Sequence, residues 1–105
     1  MRTLGKIGDR RAVDPLIAIL EGTPEPGLAE AATDALGKLK DERAVPILSR
    51  ILEQGALLVR VRAAGALGEI CGDEAIRALR TARTDQNQVV RDAAQEAFMR
   101  CMAGS

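Results

Sequence analysis

The sequence predicts an all-α solenoid of antiparallel helix hairpins, about three and a half repeats of 31–32 residues in a chain of 105. Three observations carry this reading. Leu4-Gly5, Leu36-Gly37 and Leu67-Gly68 recur at spacings of 32 and 31, and Ala12-Val13, Ala44-Val45 and Ala75-Ile76 keep the same spacings. The stretches "LGKIGDRRAVDPLIAIL" (4–20) and "LGKLKDERAVPILSRIL" (36–52) agree at ten of seventeen positions. A second block, "LAEAATDAL" (28–36), "VRVRAAGAL" (59–67) and "VRDAAQEAF" (90–98), returns every 31 residues and carries the pattern past the third Leu-Gly.

Each unit contains two stretches of helical period. In the first, Leu28, Ala32, Ala35, Leu36 and Leu39 share a face, matched by Val59, Ala63, Ala66, Leu67 and Ile70 and by Val90, Ala94, Ala97, Phe98 and Cys101. In the second, Val13, Leu16, Ile19 and Leu20 are matched by Val45, Leu48, Ile51 and Leu52. Strand alternation is nowhere sustained. Asp9, Asp41 and Asp73 precede the second helix of each unit, where a short acceptor side chain satisfies free backbone N–H groups. Pro15 and Pro46 fall near the starts of their helices, where a missing N–H costs little; deeper placement would kink the helix. "EGTPEPG" (21–27), "EQG" (53–55) and "TDQNQ" (84–88) separate the units.

A single hairpin cannot bury its apolar faces, so successive hairpins stack. Alanines at 32, 63 and 94 and at 35, 66 and 97 let helix axes approach at the short end of the usual range of roughly 8–10 Å. Gly5, Gly37 and Gly68 sit near the ends of first helices and suit a close crossing or a turn; no phosphate-binding glycine pattern surrounds them. Cys71 and Cys101 are expected as two reduced thiols in or near the helical core, since a disulfide-stapled domain normally carries more cysteines.

Composition narrows the function classes. The hydrophobic content of 47% is that of a folded domain, and no apolar run approaches the roughly 20 residues that span a bilayer. The start, "MRTLGKIGD", lacks a secretory apolar stretch, which makes a cytoplasmic location the default. Fifteen basic residues balance fifteen acidic ones, so no long-range field draws nucleic acid or an anionic membrane. Histidine is absent and Phe98 is the only aromatic residue. Without histidine, thiol–imidazole metal sets and serine– or cysteine–histidine nucleophiles are excluded, and Asp41-Glu42 and Asp73-Glu74 read as helix-start charges rather than acid–base pairs. No catalytic, cofactor or metal residue is expected.

The pattern Val-Arg-x-x-Ala-x-x-Ala-Leu-Gly-x-Ile-Gly-Asp, then x-Arg-Ala-Val and an aliphatic helix, resembles the HEAT-repeat superfamily and its phycobilisome-lyase-type HEAT-like branch. It is present as Val59-Arg60 with "AAGALGEI", as Val90-Arg91 with "DAAQEAF" and as "LGKIGDRRAV". The resemblance covers the chain from Leu4 to about Cys101 and implies one right-handed HEAT-like repeat domain over 1–105, with second helices lining the concave side. Two departures stand out. The first unit starts half a helix late and the last stops after its first helix, so the chain is either an excised piece of a longer array or pairs at its ends. Ala29 stands where the pattern has arginine, breaking any arginine ladder; such arginines are expected to serve packing and inter-repeat bonding.

The expected function is a non-catalytic protein–protein scaffold or adaptor read through the exposed face of the second helices. The candidate partner-binding residues are Asp14, Arg50, Arg77, Arg80, Thr81 and Arg83, which differ between units where the packing residues repeat. Arg77, Arg80 and Arg83 lie at i, i+3 and i+6 and would serve a nucleic-acid-binding HEAT-like module, the alternative. That groove would need basic residues along its length and stacking aromatics, and it has neither. A non-catalytic subunit or chaperone of a lyase-type complex is what the family resemblance adds. Self-association is a further expectation, with Met1, Leu4 and Ile7 at one end and Phe98, Met99 and Met102 at the other left to pair.

Overall fold

The computed structural model describes residues 2–22 and 25–104, with side chains described for 11–22 and 25–104. Six α-helices follow one another: α1 (Arg2–Glu21), α2 (Pro26–Leu39), α3 (Val45–Gln54), α4 (Leu57–Ile70), α5 (Gly72–Ala82) and α6 (Gln88–Ala103). A 3₁₀ turn over Glu42–Ala44 leads into α3. Two complete hairpins, α2–α3 and α4–α5, are thus flanked by the single helices α1 and α6. First helices α2, α4 and α6 form one layer in which neighbours pack closely, and α1, α3 and α5 form a second, looser layer.

Small residues produce the close layer. A Cβ at Gly37 would lie 2.8 Å from Ala66 Cα and 2.9 Å from its Cβ; at Gly68 it would lie 2.7 Å from Ala97 Cβ and 3.1 Å from its Cα. The two crossings repeat the same 29-residue offset, so the expected glycine crossings are real for both. Gly5 lies outside the described side chains. Ala32, Ala63, Ala66, Ala94 and Ala97 are buried beside them, and Leu36, Leu48, Leu67 and Leu79 fill the space between the layers. Val13, Leu20, Val45 and Leu52 are buried as their periodicity predicts.

The turns depart from expectation in three places. Asp41 caps as predicted, its Oδ1 accepting from the Arg43 N–H at 2.9 Å. Asp73 does not: α5 begins at Gly72, so Asp73 lies in its first turn and favours the helix through the dipole instead. Counting from Leu67, Gly72 holds the slot of Asp41 and Cys71 that of Lys40. Both of these last residues have positive φ, 54° at Lys40 and 57° at Cys71. Asp9 is not at a helix start either, because α1 runs unbroken from Arg2 to Glu21 and carries Pro15 deep inside rather than near its start. A continuous helix spares the cost of ordering a loop at Asp9.

Leu28, expected on the inner face of α2, is 51% exposed, and Ala29 is buried in its stead. Its counterparts Val59 and Val90 are buried as expected. With only a methyl group in this corner, the first turn of α2 settles with Ala29 inward and Leu28 outward.

The cysteines are not two reduced thiols. Cys71 and Cys101 form a disulfide with their Cα atoms 5.5 Å apart. The register explains the pairing: Gly68 meets Ala97, and one turn further along the parallel helices α4 and α6 the chain brings residue 71 beside residue 101. The bond ties the end of α4 to the last turn of α6, and Cys71 holds a backbone conformation (φ 57°, ψ −149°) that an L-residue adopts at a cost of about 1–3 kcal/mol.

Two stability outcomes are expected. Gly68→Ala should lose about 1–3 kcal/mol in urea unfolding through overpacking on Ala97. Gly65→Ala, on the same helix with nothing within 4 Å of the new Cβ, should be neutral or gain up to about 1 kcal/mol. Opening the loop of sequence separation 30 with Cys101→Ser should cost about 3–4 kcal/mol relative to the oxidised protein, with the same loss on adding a reductant to the wild type.

Candidate functional site

Between α3 and α5 the looser layer leaves a groove of about 390 Å³, lined by Val45, Pro46, Ser49, Glu53, Glu74, Arg77 and Thr81 among others. Its floor is apolar because Val45, Leu52 and Ala82 belong to the core; its walls are polar because α3 and α5 turn their outer residues to solvent. Arg77 and Thr81 are one turn apart on α5 and both face it, the Thr81 hydroxyl donating to the Arg77 carbonyl at 3.2 Å. Neither Arg77 nor Arg80 has an ion pair among the described residues.

The six candidate residues do not form one patch. Asp14, on α1, faces Arg43 of the following unit at 3.6 Å and bridges units across the surface. Arg50 is exposed on α3 and lines a separate recess against α1 and α2. Arg80 is exposed on α5 outside the groove lining. Arg83 caps α5 and lays its guanidinium 4.5 Å over the Phe98 ring, so its charge serves the α5–α6 contact. That contact also half-buries Phe98, which leaves Met99 and Met102, each about half exposed, as the apolar residues of that end. Met1, Leu4 and Ile7 lie outside the described side chains. Ser49, Glu53 and Glu74 were not among the residues expected on the binding face; their positions follow from stacking Pro46 against Arg77 in successive units.

The inter-repeat corner beside the groove is held by charge. Arg60, of the Val-Arg pair opening α4, donates from Nε to the Leu52 carbonyl at 2.7 Å and pairs through Nη2 with Asp85 Oδ1. Arg91 donates to the carbonyls of Asp85 at 2.8 Å and Gln86 at 3.0 Å. Both arginines therefore bond between repeats, as the pattern implies. Asp85 also accepts the Asn87 N–H at 2.8 Å, and Asn87 caps α6 by accepting from the Val89 and Val90 N–H groups. The backbone hydrogen bond from Asn87, with Arg60 and Arg91 adding to it, holds the Asp85 carboxyl below the ordinary 3.8 despite partial desolvation. Among the described residues no group of three or more His, Cys, Asp or Glu side chains is placed to hold a metal, and no helix is long and apolar enough to cross a membrane.

The family described as HEAT repeats matches residues 13–99, and the PBS lyase HEAT-like repeat matches residues 1–22. The phycocyanobilin lyase subunit alpha of Nostoc sp. (strain PCC 7120 / SAG 25.82 / UTEX 2576) is 46% identical over 54 residues, which is 51% of this chain and 19% of that protein. The chain thus spans about a fifth of the length of this relative.

A carboxylate whose folded pKa is depressed contributes stability above its unfolded pKa and loses it as pH falls. The Asp85 contribution should therefore be complete at neutral pH and disappear progressively below 3.8. Urea midpoints measured from pH 7 downward should show a component of this acid loss that is absent in Asp85→Asn, which should also be less stable than the wild type at neutral pH.

Proposed function

The chain belongs to the HEAT-repeat family, and on that premise we propose that it is a non-catalytic protein-binding module whose partner is read in the α3–α5 groove. The observation that carries this reading is the contrast between layers. Positions facing the α2–α4–α6 layer repeat almost unchanged, whereas the groove wall changes from unit to unit, with Pro46 where the next unit has Arg77. A wall under no packing constraint, with an apolar floor and polar rim, has the make-up of a protein interface. Glu53, Glu74 and Asp85 outnumber Arg77 in the lining, the reverse of what a phosphate-tracking surface needs. Acid–base catalysis has no histidine to use.

The similarity to a phycocyanobilin lyase subunit favours one version of this reading, a non-catalytic role inside a lyase-type complex. The partner would then be another subunit of that complex.

The test is co-purification from the source cell with the wild type and with Arg77→Glu/Arg80→Glu. The charge-reversed pair should fold normally by circular dichroism and lose the partner by at least about tenfold, as for removal of a central interface charge. Retention of all partners by that variant contradicts the groove as the binding site. Recovery of a lyase subunit with the wild type alone supports the narrower version.

A further inference from the structure

The arginine corner is built at one junction and left open at the preceding one. Arg60 fills the junction between the second and third units, reaching Leu52 and Asp85. One repeat earlier, the residue in register with Arg60 is Ala29; Leu20 stands for Leu52, Glu21 for Glu53 and Gln54 for Asp85. All four line a recess of about 410 Å³, closed on its apolar side by Ile51 and Val59.

We propose that this recess is a binding site for a guanidinium group, the side chain of an arginine presented by a partner protein. Three features fit that occupant. The Leu20 carbonyl lies in the last turn of α1, at the negative end of the helix dipole. The Gln54 side chain supplies a carbonyl acceptor where Asp85 supplies a carboxylate. Ile51, half-buried, offers apolar surface to the three methylenes of an arginine stem. Arg50 also lines the recess and opposes a cation, but it is solvent-exposed, where its field is screened. Gln54 in place of the Asp85 carboxylate makes the site weaker than the built one, as suits an occupant that comes and goes. The arginine's source rests on the protein-binding reading; the chemistry of the recess does not.

The experiment therefore uses a small probe and no partner. N-acetyl-arginine methylamide titrated into the ¹⁵N-labelled protein should give saturable shifts centred on Ala29, Gln54 and Val59, at least about tenfold tighter than its uncharged citrulline counterpart, since hydrogen bonds to a charged donor are worth about 1.5–3 kcal/mol. Gln54→Asp should tighten the probe about tenfold by restoring the charge-assisted bond of the Arg60 corner. Ala29→Arg should fill the recess from within, abolish probe binding and raise the melting temperature. Equal shifts with the citrulline probe, or unchanged probe binding in both Gln54→Asp and a folded Ala29→Arg, overturn the site. That failure would leave the Arg77→Glu/Arg80→Glu partner test standing, so the two readings fall separately.

Discussion

Where Gly37 passes Ala66 and Gly68 passes Ala97, parallel helices meet so closely that a single added carbon would sit within 3 Å of the neighbouring alanine. Everything else in the stack takes its position from these crossings. They set the offset between units, which brings Cys71 against Cys101, aligns Leu36 and Leu67 over the second layer and leaves α3 and α5 far enough apart to form a groove. A core almost without aromatics follows from the same constraint. Helices at this separation have no room for a ring, and Phe98 lies at the edge beneath Arg83.

The arginine corners do the complementary work at the loop edge. A guanidinium that bonds a carbonyl in one helix's last turn and a carboxylate of the next loop fixes the angle between hairpins, where apolar packing alone is non-directional. Asp85 is the hub of this arrangement, meeting Arg60, Arg91 and the Asn87 N–H together. The first junction lacks that device at Ala29 and shows the consequences locally: Leu28 turns outward and a recess stays open.

Sequence periodicity captures what repeats and misses what depends on one unit's surroundings. The helical class, the buried alanines and leucines and the glycine crossings are legible because the same contact is made twice. The unbroken α1 is not, since the motif at Asp9 matches that at Asp41 and repeat matching carries the Asp41 turn onto it. Asp73 lies one position past the capping slot because the third unit puts Cys71-Gly72 where the second has Lys40-Asp41. The disulfide escapes a reading based on cysteine number and becomes visible only through the inter-helix offset. Of the candidate face, Arg77 and Thr81 share a groove, while Asp14 and Arg83 are occupied by Arg43 and Phe98, neighbours that helical spacing along one chain segment cannot reveal.

Native-state hydrogen exchange tests the central claim, that the α2–α4–α6 layer is the spine of the fold. The slowest amides should lie around Ala32–Gly37, Ala63–Gly68 and Ala94–Ala97 and exchange together with global unfolding, while those of α3 and α5 open at lower free energy. Slowest exchange in α3 and α5, with α2, α4 and α6 opening first, would contradict it.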